Sequence, residues 1–121
     1  MKQFEKWAKG IIKEYQEKLL ITQHDINLVS KTEKNQSLME MTFRLPYLDP
    51  NLNYNPNKVS EYWKRGERDE LKHALIHELC HVITDPLYGC ATDRWATKDE
   101  IERTRETLTD HIAMIVKKNM L

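Results

Sequence analysis

Residues His77-Glu78-Leu79-Cys80-His81 spell H-E-x-x-H. On a helix, residues four apart stand one turn apart on the same face. The imidazoles of His77 and His81 then come close enough to grip one metal ion. Glu78 lies about 100° further round, beside the metal rather than on it. Neutral imidazole is a good ligand for zinc, and a neighbouring carboxylate can take a proton from a water that the metal acidifies. The chemistry expected of such a set is zinc-dependent hydrolysis, with the peptide bond as the expected substrate group. The competing reading is an ordinary helix carrying two histidines and a glutamate.

The surroundings of the motif favour the metal. Residues Glu67 to Asp85 contain no Gly or Pro, and Pro86 is expected to end the helix there. Leu71, Leu75, Leu79, Val82 and Ile83 recur at helical spacing. Ala74, Ile76 and Cys80 add apolar surface elsewhere around the helix, as expected of a core helix. Two histidines and a carboxylate in such a helix are costly unless something satisfies them. His73, one turn before His77, is a competing ligand or an uninvolved surface residue.

A catalytic zinc site needs a third protein ligand and one position left for water. The last helix offers Glu102, Glu106, Asp110 and His111. Its main apolar stripe is Ile101, Leu108, Ile112 and Ile115, and Glu106 and Asp110 lie nearly opposite. Two readings remain open from the pattern: a solvated acidic face, or a helix packed on two sides with its carboxylates turned to the metal.

The run from His77 to Asp85 resembles the active-site helix of the thermolysin-type gluzincins. Glu106-Thr107-Leu108-Thr109-Asp110 is similar to their downstream E-x-x-x-D motif. The resemblance implies that Glu106 is the third zinc ligand and that Asp110 orients His77 or His81 by a hydrogen bond from behind. It covers the two helices, and the order of elements is similar to minimal zincin domains, including small phage-type zincin-like proteins. These 121 residues offer no counterpart of the large second domain of the thermolysin type. No counterpart of its distal oxyanion-stabilising histidine is assignable, with Tyr88, Trp95 and His111 as the available side chains.

The remaining elements must hold these helices. Phe4, Trp7, Ala8, Ile11, Ile12, Tyr15 and Leu19 form an amphipathic first helix with charges of both signs opposite. Asp25 to Ser30 reads as a strand with Ile26 and Leu28 on one face, and Lys31 to Ser37 as a turn. Leu38 to Leu45 alternates, with Met39, Met41, Phe43 and Leu45 one way and Glu40, Thr42 and Arg44 the other. Leu52 and Tyr54 suggest a third strand, placed at an edge by Pro50 and Pro56. Asn57 is a candidate cap for a short helix with Val59, Tyr62 and Trp63, closed by Gly66. Leu87 to Ala96 reads as a loop, and Thr97 to Glu100 as a capping box opening a helix to about Lys118.

The expected fold is one α+β domain over residues 1–121. It is zincin-like: an N-terminal helix, a short, mostly antiparallel or mixed three-stranded sheet, the H-E-x-x-H helix and a C-terminal glutamate helix. One Zn²⁺ per chain is expected on His77, His81 and Glu106, with Glu78 as general base and Asp110 behind a ligand. The expected partner is a peptide or protein substrate, adding as an extended strand along the sheet edge. A non-catalytic zinc module and a metal-free helical interaction protein are the alternatives. Lys and Arg balance Asp and Glu at 19 each, which gives no electrostatic grip on nucleic acid or anionic membrane. No apolar run is long enough to span a bilayer, and Met1 to Gly10 lacks the apolar run of a signal peptide. Cys80 and Cys90 make no C-x-x-C pair, so a reducing, cytoplasmic compartment is expected.

Overall fold

The computed structural model describes residues 1–32, 37–43 and 48–119. Its elements run α1 (Lys2–Lys18), β1 (Asn27–Ser30), β2 (Met39–Thr42), β3 (Asn51–Tyr54), α2 (Pro56–Lys64), α3 (Arg68–Thr92) and α4 (Lys98–Asn119). The fold is α+β, with four helices and a three-stranded mixed sheet among the described residues.

The sheet order is β1-β3-β2, with β1 parallel and β2 antiparallel to β3. The third strand is therefore central, not the edge that its flanking prolines suggested. Pro50 and Pro56 stand outside the four paired residues, so neither removes a donor from the ladder. Register aligns Leu28, Leu52 and Met41 in one row, and Ser30, Tyr54 and Met39 in the next. Met39, Met41, Leu52 and Tyr54 are buried, so these rows form the face against the helices. The opposite face carries Asn27, Asn51, Asn53, Glu40 and Thr42. The strand expected from Leu38 to Leu45 is shorter at its end, and Arg44 and Leu45 lie outside the described residues.

Helix α1 buries Phe4, Ala8 and Ile12, spaced four apart along one face. Phe4 meets Tyr54 edge-on at 5.1 Å between ring centres and Trp63 at 5.8 Å, which joins α1 to the sheet and to α2. The Tyr54 hydroxyl donates to Glu5, and burial together with that bond pushes the phenol up to about 12. Helix α1 closes with bonds from Leu20 N to Glu17 O and from Ile21 N to Gln16 O, the paired bonds of a Schellman end. Leu20 holds φ at 58°, a left-handed position that glycine usually fills. Helix α2 closes the same way, from Gly66 N to Trp63 O and from Glu67 N to Tyr62 O, here with a glycine at φ 74°.

Asn55, not Asn57, caps α2. Its side chain accepts from Asn57 N at 3.0 Å and Lys58 N at 3.2 Å, and Pro56 takes the first helical position. Thr97 caps α4: its Oγ1 accepts from Glu100 N at 3.1 Å, one half of the expected capping box.

Helix α3 is the centre of the molecule and packs on α1, α2, α4 and β2. Its core side is Leu71, Leu75, Leu79 and Val82. It does not stop at Pro86 as the sequence suggested but continues to Thr92, leaving Asp93 to Thr97 as the connection to α4. Proline costs the Val82 carbonyl its amide partner. Yet α3 packs on α4, and Val82, Ile83 and Pro86 line a cleft shared with Thr104, Thr107, Leu108 and His111, so α4 supports the helix at the proline.

Helix α4 buries no residue fully. It is tied instead to the C-terminus of α1. His111 Nε2 lies 2.9 Å from Leu19 O, Lys118 Nζ donates to Glu17 O at 2.6 Å, and Asn119 Nδ2 donates to Lys18 O at 3.1 Å. Carbonyls at the end of α1, Glu17 O among them although it also accepts from Leu20 N, thus gain partners from another helix. Among the described residues, no helix is long and apolar enough to cross a membrane.

Candidate metal centre

His77, Glu78 and His81 form a group whose potential ligand atoms all lie within 4.8 Å of one another. Helix α3 sets this up by spacing alone, because positions 77 and 81 share a face one turn apart. The two imidazole rings stand 5.1 Å apart, nearly perpendicular. Bonds of about 2.0–2.1 Å in tetrahedral geometry would need the two nitrogens roughly 3.3 Å apart. His77 is exposed, so its ring is free to close the difference by rotation. Such a group can hold a metal ion.

Glu78 is the unusual member. Its residue is 7% exposed, and its Oε2 is buried without a hydrogen-bond partner among the described residues. An ionised carboxylate in that position is costly. Burial pushes its carboxyl upward from the ordinary range, with His81 and His77 pulling the other way and Glu40 and Asp85 adding a smaller upward push. A cation between the imidazoles would offset the cost of that charge.

His81 has a partner behind it. Its Nδ1 lies 2.8 Å from Asp85 Oδ1, the residue one turn further along α3. The sequence places Asp110 behind a ligand as an expectation; the carboxylate found against His81 is instead Asp85. The i, i+4 spacing that pairs His77 with His81 also pairs His81 with Asp85, and that was the available signal.

The other expected site residues lie elsewhere. Glu106 is not in the group with the histidines. Its side chain is 73% exposed, with Arg105 Nη2 at 3.7 Å. Asp110 is exposed on the same helix. The reason is rotational. Helix α4 meets α3 through Thr104, Thr107, Leu108 and His111, and Glu106 lies about 150° round from the middle of that face. On α3, the side toward α4 is more than about 100° round from the histidines. His73 is exposed and outside the group. Tyr88 is 71% and Trp95 76% exposed, and His111 is engaged at Leu19.

What lies beside His77 and Glu78 is the start of β2. A cleft beside the group is lined by Ser37, Leu38 and Met39 at the start of β2 and by Ala74, His77 and Glu78 of α3. Strand β2 is an edge strand, and no described strand pairs with its outer side. The bond from Asn55 N to Leu38 O (3.0 Å) fixes which residues point inward. In an antiparallel ladder the bonded pairs alternate. Positions 38, 40 and 42 therefore bond β3, while the amide groups of Met39 and Met41 face outward. The Met39 carbonyl accepts from Ser37 Oγ at 3.0 Å.

Comparison with known protein families, curated proteins and solved structures found no match for this chain. The likeness to the thermolysin type accordingly rests on the residues of α3 and α4 themselves.

The two thiols take no part in the metal group. Cys80 and Cys90 are half-buried and unpaired by any disulfide, and burial pushes the Cys80 thiol up, which keeps it protonated and unreactive.

Proposed function

We propose that the chain is a zinc-dependent peptide hydrolase with a minimal zincin-like site on α3. The observation that carries this reading is the buried Glu78 carboxylate, its Oε2 without a partner among the described residues, within ligand reach of two imidazoles on the same helix. Nothing in the described core needs a carboxylate there, and general-base chemistry does. His77 and His81 would hold the ion, and zinc suits them best because neutral imidazole is among its preferred ligands. When bound, zinc would polarise a scissile carbonyl and acidify the attacking water.

The chain's own residues then do the following. Glu78 accepts a proton from the attacking water and passes it to the leaving amine. The outward amide groups of Met41 on β2 offer an extended peptide two main-chain hydrogen bonds, which would align it beside α3. Leu38, Met39 and Ala74 give the cleft an apolar wall for a side chain of that peptide.

A second reading is a metal-binding module without catalysis, serving protein interaction. It is favoured by one observation: among the described residues no second element adds a ligand to the group, and Glu78 itself stands at ligand distance.

One experiment separates the two. Zinc content is measured on protein purified without added metal, followed by cleavage of a peptide library by the parent and by Glu78→Gln. The hydrolase reading expects one zinc per chain in both proteins and cleavage only in the parent. The binding-module reading expects no cleavage by either and weaker zinc in the variant. An absence of zinc in the parent, even after incubation with the metal, removes both.

A further inference from the structure

We propose that Asp85 is a positioning residue for the metal site, acting through His81. This inference rests on the zinc reading and deepens it.

The geometry is a line along one face of α3. His77, His81 and Asp85 follow at four-residue steps, each advancing only about 40° around the axis. Helical side chains lean toward the N-terminus, so Asp85 reaches back over the turn to His81. The contact is 2.8 Å, between Asp85 Oδ1 and His81 Nδ1. The side chains are only 32% and 39% exposed, so the pair is partly shielded from water.

The chemical consequence is a choice of tautomer. An ionised carboxylate has no proton to give, so the hydrogen in this bond belongs to Nδ1. In neutral imidazole that leaves Nε2 without a hydrogen, as a bare donor atom. A free histidine in water prefers the opposite tautomer, with Nε2 protonated. Asp85 therefore sets both the direction of the ring and the nitrogen that can take the metal. His77 has no such partner among the described hydrogen bonds, so the site has one oriented ligand and one that swings in. A surface ion pair alone would also explain the contact, because i, i+4 pairs stabilise helices. The tautomer distinguishes the two.

The test reads nitrogen-15 shifts of His81 in the metal-free protein at neutral pH, and zinc affinity by competition with a chelator. Parent, Asp85→Ala and Asp85→Asn are compared with His81→Ala. The expected parent spectrum has the proton on Nδ1, and Asp85→Ala moves it to Nε2. Zinc affinity is expected to fall about 10- to 100-fold in Asp85→Ala. Asp85→Asn should fall in between, because its amide oxygen accepts the same bond without the charge. An unchanged tautomer with affinity within two-fold of the parent overturns the proposal. So does a loss in Asp85→Ala equal to that of His81→Ala, which would make Asp85 a ligand. Failure of the parent itself to bind zinc would overturn the metal reading, and that result is read without any variant.

Discussion

Glu106 pairs with Arg105 at 3.7 Å on a face of α4 turned away from α3. With the helices in this arrangement, the carboxylate that the sequence offers as third ligand does not reach the histidines. Glu106→Gln should leave zinc affinity within about three-fold, as is usual for a surface change remote from a site. His81→Ala should abolish tight binding. A ten-fold or larger loss in Glu106→Gln, measured by chelator competition, would mean that α4 turns to face α3 when metal binds.

Glu78→Gln should make the metal-free protein more stable at neutral pH. Burial is the main cause of the raised carboxyl affinity for its proton. A raised carboxyl favours the neutral form in the fold. As pH rises through the ordinary value of 4.5, the unfolded chain ionises freely, while the folded chain must carry a buried charge or keep its proton. Stability is therefore lost with rising pH, and glutamine removes that loss. Thermal melts in chelator should show the variant melting higher at neutral pH, with the gap closing toward pH about 4. A variant that melts lower at neutral pH would show that the carboxylate is satisfied by a partner. Functional carboxylates held at a cost to stability are a recurring pattern.

The motif helix was legible because it obeys two local rules at once: no breaker over its central stretch, and apolar residues at helical spacing. The face of α4 was not. That helix buries nothing fully, and it exposes Ile112, Met114 and Val116 along with its acids. When apolar residues lie all round, period no longer says which side meets a neighbour. The central place of β3 was hidden for a different reason. Strand order follows from pairings between distant segments, and the flanking prolines bear on the residues next to Asn51–Tyr54, not on the strand's own amides. Pro86 does not end the helix because a single proline can be carried by tertiary packing, here that of α3 on α4.

His24 should make the protein acid-sensitive. Burial lowers its proton affinity, and nearby His111 lowers it further. A histidine depressed in the fold contributes stability that is present above its ordinary value of 6.5 and is lost as pH falls through the folded value. Between neutral pH and about pH 5 the melting temperature of the parent should fall relative to that of His24→Gln, with Glu78 acting alike on both proteins. An equal drop in both proteins would place the acid sensitivity elsewhere.

Leu20 and Gly66 give a matched pair of helix ends. Both residues occupy the left-handed position of a Schellman motif, at φ 58° and 74°. A side chain at Gly66 would meet nothing within 4 Å, so Gly66→Ala is penalised by backbone conformation alone. It should cost about 1 kcal/mol. Leu20→Gly relieves the same conformation but gives up a partly buried side chain, so its net gain should be smaller than the loss at Gly66. Chemical denaturation of both variants checks the pair. A larger loss in Leu20→Gly than in Gly66→Ala would show that Leu20 is held by its packing.

Peptide recognition along β2 can be tested without touching the fold. Only every second residue of an added strand uses its amide hydrogen against the edge, because ladder bonds alternate. Here the receiving groups lie on Met41, with positions 40 and 42 turned inward to β3. A cleaved peptide should therefore lose affinity on N-methylation at the one position whose amide reaches the Met41 carbonyl, by about 0.5–1.5 kcal/mol, and tolerate it at the positions on either side. In a scan of singly N-methylated substrates, the loss should appear in KM, since the edge bonds hold the peptide before any bond is broken. Sensitivity at consecutive positions, or none at all, would exclude strand addition and leave the cleft beside Leu38 and Ala74 as the sole peptide contact.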